Sequence, residues 1–247
     1  MSALGKEQYA EFKSLEQQLV AEAKSRPGED VEISGLTFRI PPSVFHAKIF
    51  DTNVDEVAAL LPMKSGSSFM DIGCGCGVFA ILAAKAGCSP VWASDINAEA
   101  VKATALNASR NDVDVTAVES DLFDDIPDNL KFDVIWFHHP YGQPEGYESL
   151  DDPFFVNLID KDYRLLERYL RDAQKFLTPG TGRIYVVHGK EIGNRELMLQ
   201  RVTEAKLNYH IVGTVEDGED IAVGGVQLTT DLFELIPNPG VPGMSQS

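Results

Sequence analysis

Apolar positions near the start of the chain are spaced for a helix, then a hairpin, then another helix. Phe12, Leu15, Leu19 and Ala23 recur at three- and four-residue steps with charges between them. That spacing predicts an amphipathic helix over about 4–26, stopped by Arg26-Pro27-Gly28 and placed as a lid or brace on the core. Val31-Glu32-Ile33 and Leu36–Ile40 flank Ser34-Gly35 and predict a short hairpin. Pro41-Pro42 ends it, because proline cannot donate to a ladder. Residues 51–61 read as a helix with Val54, Val57, Ala58 and Leu61 on one face and Pro62 beyond its end.

From Ser67 the pattern alternates between short apolar runs and longer amphipathic ones. Strands are predicted at 67–72, 90–95, 113–119, 132–137 and 183–187. Helices are predicted at 77–87, 98–109 and 191–206, with Val101, Ala105 and Ala108 inward in the second. A long helix is predicted over 158–177, where Ile159, Tyr163, Leu166, Leu170 and Ala173 form an apolar stripe. Two strands, 209–215 and 227–235, then follow with no helix between. This is an α/β pattern: a mostly parallel, Rossmann-like sheet with helices on both faces and an antiparallel hairpin at the end. The expected organisation is an N-terminal helix, hairpin and covering segment over 1–62, a core domain over 63–236, and a disordered tail over 237–247.

The run Asp71–Gly77, D-I-G-C-G-C-G, joins the first core strand to its helix. Glycine there lets a ligand approach the backbone, and the following helix turns its first N–H groups toward it. A dinucleotide fingerprint would need Gly or Ala at Val78, and no phosphate loop of the G-x-x-x-x-G-K type is present. A tight turn of small residues explains a lone Gly-rich run equally well. Residues further along the chain add weight to a ligand site. Asp95 ends the second strand, and Asp121 follows the third.

With those acids, the motif resembles motif I of the class I S-adenosylmethionine (SAM)-dependent methyltransferases, whose sheet also ends in a terminal hairpin. The resemblance implies a role for each residue. The backbone at Gly73, Gly75 and Gly77 lies against the methionine and ribose of SAM, and Asp71 reaches the amino group. Asp95 takes both ribose hydroxyls, while Ile96 and Asn97 border the adenine. Asp121 accepts from the adenine amino group and Leu122 packs on the ring. The plainer roles are helix capping for Asp71, Asp95 and Asn97.

Phe132–Tyr141 reads F-D-V-I-W-F-H-H-P-Y. It resembles the F-D-x-I-x-x-[N/D/S]-P-P-[Y/F/W] signature of the amino-methyltransferase branch. That branch includes the release-factor glutamine, small-domain ribosomal RNA and adenine-N6 enzymes. Pro140 and Tyr141 match. His138 stands at the Asn position and His139 at the first Pro. Asn orients a target nitrogen but cannot take its proton, whereas a neutral His can. The resemblance thus makes His138, His139 and Tyr141 the catalytic candidates, with His138 also beside the cofactor. Both histidines otherwise simply cap the strand end. Phe45, His46, Asp51 and Thr52 resemble a covering segment of this branch, with Phe45 closing the pocket and Thr52 bonding the SAM carboxylate. His188 ends the fifth strand, facing the pocket or simply buried.

Composition narrows the partners. The net charge is −17, and no basic stripe appears. Nucleic-acid binding rests on neutralising phosphates with Lys and Arg. A nucleic-acid substrate is therefore disfavoured and a small molecule expected. Three cysteines, two of them in the Gly-rich turn, suggest buried small side chains rather than a metal, in a reducing cytoplasm. No signal pattern or membrane span is seen.

These readings make the chain a SAM-dependent methyltransferase with a small-molecule acceptor and no metal. The alternatives are a protein-glutamine or RNA-base N-methyltransferase, and a catalytically silent SAM-fold subunit of a partner. Oligomeric state is open.

Overall fold

The computed structural model describes residues 5–50, 53–140, 158–216 and 226–238. Helix α1 (Lys6–Ser25) leads into a hairpin of β1 (Glu29–Ile33) and β2 (Leu36–Ile40). Its turn places Ser34 and Gly35 at φ 53° and 70°. Two successive positive φ values match the twist of a two-residue hairpin. Short helices α2 (Ala47–Phe50) and α3 (Val54–Leu60) follow.

The core sheet then begins with β3 (Phe69–Ile72), α4 (Val78–Lys85), β4 (Val91–Asp95), α5 (Ala98–Arg110), β5 (Thr116–Glu119) and β6 (Val134–Phe137). It continues with α6 (Arg164–Ala173), β7 (Arg183–Gly189), α7 (Arg195–Glu204), β8 (Leu207–Glu216) and β9 (Thr229–Pro237). Strand order is β5-β4-β3-β6-β7-β9-β8. β9 runs antiparallel to both of its neighbours, and the other pairings are parallel. This is the expected seven-stranded sheet with its terminal hairpin.

β3 and β6 are buried at every position, and every residue in them except Asp71 is apolar. One core cluster joins the hairpin and α3 to one face of the sheet through Phe38, Ile40, Val57 and Ile81. The other face packs Tyr169, Leu170 and Met198 over Ile135 and Val186. Chain order reverses between β3 and β6, so the crevice beyond their carboxyl ends is where such sheets take ligands.

Three elements depart from the pattern. The long helix is interrupted: Asp162 and Tyr163 take left-handed φ of 58° and 52°, and α6 starts only at Arg164. The cause is Asp160, whose carboxylate accepts from Leu165 N and Leu166 N, both at 2.9 Å, and so sets a helix start. In α5, Ala105 is exposed, while Thr104 and Asn107 are buried. Thr104 Oγ1 donates to Gly75 O (3.1 Å), and Asn107 Nδ2 donates to Cys76 O (2.9 Å) and Arg39 O (2.9 Å). These polar side chains face inward because the Gly-rich turn has carbonyls to satisfy. In α1 the buried residues are Lys13, Glu16, Val20 and Ala23, and the expected stripe residues Phe12, Leu15 and Leu19 are only half-buried.

Cys74, Cys76 and Cys88 are all buried, and none of them forms a disulfide. Among the described residues no helix is long and apolar enough to cross a membrane. The expected tail beyond Asn238 lies outside the described residues.

Candidate active site

A cleft of about 300 Å³ opens beyond the ends of β3, β4 and β6. The Gly-rich turn forms its floor, and α1 with Val44 and Phe45 closes one side.

Gly73, Gly75 and Gly77 all have positive φ. The last two serve different needs. A Cβ on Gly75 would meet nothing nearer than Val44 Cγ1 at 4.0 Å, so the backbone there stands open to the cleft. A Cβ on Gly77 would lie 2.8 Å from Thr104 Cγ2, so its hydrogen permits the packing of α5.

Asp71 is buried, and its Oδ2 accepts from Ala80 N at 3.0 Å, inside the first turn of α4. Burial, helped by nearby Asp95, pushes its carboxyl up to about 8, against the Ala80 N–H and His138, which favour the charged form. Asp95 bridges two loops. Its Oδ2 accepts from Gly75 N and its Oδ1 from Asn97 N, both at 2.9 Å. Burial raises this carboxyl too, opposed by those two N–H groups. Each oxygen keeps a further lone pair for a ligand. The Asn97 side chain is committed elsewhere: it caps α5 at Glu99 N (3.0 Å) and donates to Ser43 O (2.8 Å), which ties the covering segment down. Ile96 stands 62% exposed at the cleft. Asp121 accepts from Arg168 Nη2 at 3.0 Å, and Leu122 beside it is buried with φ 57°.

His138 lines the cleft half-buried, its ring 6.1 Å from that of Trp136. His139 is 1% exposed and packs against Phe137, Tyr163 and His188 at ring distances of 6.0–6.1 Å. Burial, with His188 beside it, pushes its imidazole down to about 3, so it is neutral in the physiological range. His188 is fully buried behind it, brought down to about 4 chiefly by burial. Tyr163 Oη accepts from Asn194 N and donates to His188 Nε2, both at 2.8 Å, while His188 Nδ1–H donates to Gly189 O at 2.6 Å. Sequence reasoning missed this Tyr163–His188–Asn194 network. Its members come from three segments that only the fold brings together, and the left-handed Tyr163 falls inside the helix that the apolar spacing predicts. His46 does not line the cleft; it is buried with Nε2 3.1 Å from Glu29 Oε1. Thr52 and Tyr141 lie outside the described residues, as does Asp51.

The site therefore combines an open glycine backbone, a buried carboxylate at one strand end, a half-buried one at a second, and two imidazoles, the buried His139 neutral, at a third. Residues 35–210 match the model of the methyltransferase small domain. The chain belongs to that family. It is a SAM-dependent methyltransferase, and the cradle at Gly75 with the carboxylates of Asp71 and Asp95 suits a cofactor carrying an ammonium, a sulfonium and a ribose.

A relative in Methanocaldococcus jannaschii, provisionally named a protein N5-glutamine methyltransferase, is 30% identical over 170 residues. The match covers 67% of this chain and 82% of that one. Ribosomal protein L11 methyltransferase of Thermotoga maritima is 40% identical over 73 residues, 30% of this chain and 27% of the relative. Ribosomal RNA small subunit methyltransferase C of Hahella chejuensis is 29% identical over 140 residues, 56% of this chain and 36% of the relative. The chain thus spans about a third or less of the last two. In structure it is similar to the T. thermophilus 16S rRNA N2-G1207 methyltransferase in complex with AdoMet and guanosine. That match has TM-score 0.60 at 17% identity and covers 85% of this chain and 50% of that one.

These relatives correct the expectation of a small-molecule substrate with nucleic acid disfavoured, because they are named for methylation of protein or ribosomal RNA. Net charge is a sum over the whole surface and does not report the field beside one cleft.

Proposed function

We propose that the chain transfers the methyl group of SAM to a side-chain nitrogen of a protein, the amide of glutamine being the favoured acceptor. The supporting observation is the reach of the M. jannaschii match, which runs through four-fifths of that protein. Bound SAM supplies a methyl group on a sulfonium sulfur that departs as a neutral thioether.

In this reading the Gly73–Gly77 backbone carries the methionine and ribose. Asp71 faces the ammonium and Asp95 the ribose hydroxyls. Ile96, Asn97, Asp121 and Leu122 border the adenine, and Phe45 and Thr52 cover the cofactor. His138 and Tyr141 hold the acceptor. An amide nitrogen is a weak nucleophile that sheds a proton as its new bond forms. The neutral imidazole of His138 takes that proton, which the Asn of the family motif cannot do. Holding the reacting atoms in line supplies much of the remaining rate. His139 is held neutral by burial and serves as packing behind His138.

The test is methyl transfer from tritiated SAM into an extract of the source organism. Label is expected in material sensitive to protease and resistant to ribonuclease, released as methylamine on acid hydrolysis. Label in ribonuclease-sensitive material, or only in dialysable molecules, overturns the reading.

A further inference from the structure

Helix α1 precedes the segment matched by the family, yet six of its residues line the cleft: Tyr9, Phe12, Lys13, Leu15, Glu16 and Leu19. A helix laid over an apolar cleft ordinarily turns apolar residues inward. Here the inward stripe has charge at its centre. Lys13 and Glu16 are as buried as Val20 and Ala23, while Phe12, Leu15 and Leu19 flank them half-exposed. Lys13 Nζ lies 3.0 Å from Glu16 Oε2 and 5.6 Å from the centre of the Tyr9 ring. A buried ion pair is a poor source of stability, because desolvating both charges offsets their attraction. Local rules of this kind are broken most often where function demands it.

The charges around the cleft say what the demand is. Among the described residues lining it, the acids are Glu16, Asp71, Asp95 and Asp121, and Lys13 is the one lysine or arginine. SAM brings two cations, its ammonium and its sulfonium, and one anion, its carboxylate. The acids answer the cations. The carboxylate needs a cationic partner, and a lysine ammonium has three donors, enough for Glu16 and a ligand oxygen together.

We propose that Lys13 binds the methionyl carboxylate of SAM and that Glu16 is a positioning residue that holds the Lys13 ammonium at the cleft. The N-terminal helix is then part of the cofactor site and not only a brace. This rests on the cofactor assignment made above, and it adds a binding residue from outside the family segment.

The experiment compares two ligands that differ by one group. Titration calorimetry on the full chain measures SAM against decarboxylated SAM, which keeps the ammonium and sulfonium and lacks only the carboxylate. The native chain is expected to prefer SAM by about tenfold or more, the size of a charge-assisted hydrogen bond. Lys13→Met is expected to shrink that preference to within about twofold while decarboxylated SAM binds as before. Lys13→Met/Glu16→Gln removes both charges and carries the same comparison where the single variant, left with a lone buried carboxylate, does not fold. A preference for SAM that survives in either folded variant overturns the proposal. So does equal weakening of both ligands, which would make α1 a cover without a contact. A native chain that binds neither ligand would instead sink the cofactor assignment.

Discussion

At the cofactor end of the cleft, around the Gly-rich turn, the buried titratable groups are carboxylates. At the other end, beyond β6 and β7, where the proposed acceptor would sit, they are imidazoles. Burial acts on the two in opposite directions: it raises Asp71 and Asp95 and lowers His139 and His188. Both shifts favour the neutral form. A cationic ligand then breaks the symmetry. In the proposed reading its ammonium and sulfonium favour the charged form of the carboxylates and the neutral form of nearby imidazoles. On that reading one cofactor thereby serves both ends, with an anionic cradle on one side and His138 as the proton acceptor on the other.

The largest effect should come from the acceptor end. His138→Asn restores the family residue and keeps a hydrogen-bond acceptor, but removes the group that takes a proton. Turnover on the identified acceptor is expected to fall by about 10²–10⁴, with calorimetric SAM affinity within about twofold of native. Only a neutral imidazole can take the proton, so native turnover should rise with pH and the variant should lose that limb. Near-full activity with an unchanged pH profile would reduce His138 to orienting the acceptor, and the contrast between the two ends would lose its chemical meaning.

The next effect lies at the cofactor end. Asp95→Ala is expected to weaken SAM by roughly 1.5–3 kcal/mol, the range for hydrogen bonds to a charged group. Turnover at saturating SAM should change little. The same variant also strips the acceptor from Gly75 N and Asn97 N, so its melting temperature should drop. Asp95→Asn keeps one accepting oxygen, restores at most one of those two bonds, and so helps to separate the two losses. Recovery of melting temperature without recovery of affinity assigns Asp95 to the ligand. Recovery of both assigns it to fixing the turn.

The same contrast explains what could be read from the chain. The sheet was legible because doubly buried strands are short apolar runs, and acids at their ends stand out against them. The glycine turn was legible because its positive φ values restrict composition. Interior polarity was not. Thr104 and Asn107 look like outward residues of α5 until the carbonyls of Gly75 and Cys76 are placed beneath them. Lys13 and Glu16 look like solvated charges of α1 until the cleft is set against them. Asp160 did carry a signal, an acid shortly before an apolar run, but the periodicity of Ile159 and Tyr163 overrode it. The Tyr163–His188 contact joins the residue before α6 to β7 across 25 residues, and no local pattern encodes it.

The last effect is the release of one proton, and it sharpens the account of the cofactor end. The Asp71 carboxyl sits at about 8 in the ligand-free protein, against about 3.9 for an unfolded chain. Its folded value is raised, so its contribution to stability is fully present below about pH 4 and is lost as pH rises through about 8. The ligand-free melting temperature should therefore fall across that window, and Asp71→Asn should flatten the fall. A bound ammonium favours the ionised carboxylate. Binding near pH 7 should then release up to about one proton, giving calorimetric enthalpies for S-adenosylhomocysteine that differ between phosphate and Tris in proportion to the buffers' ionisation heats. In Asp71→Asn the two buffers should agree. Equal enthalpies in the native chain would mean that Asp71 is already ionised before the ligand arrives, or stays protonated as the cap of α4 after it binds. The melting curves tell these apart: only the second keeps the fall between pH 4 and 8.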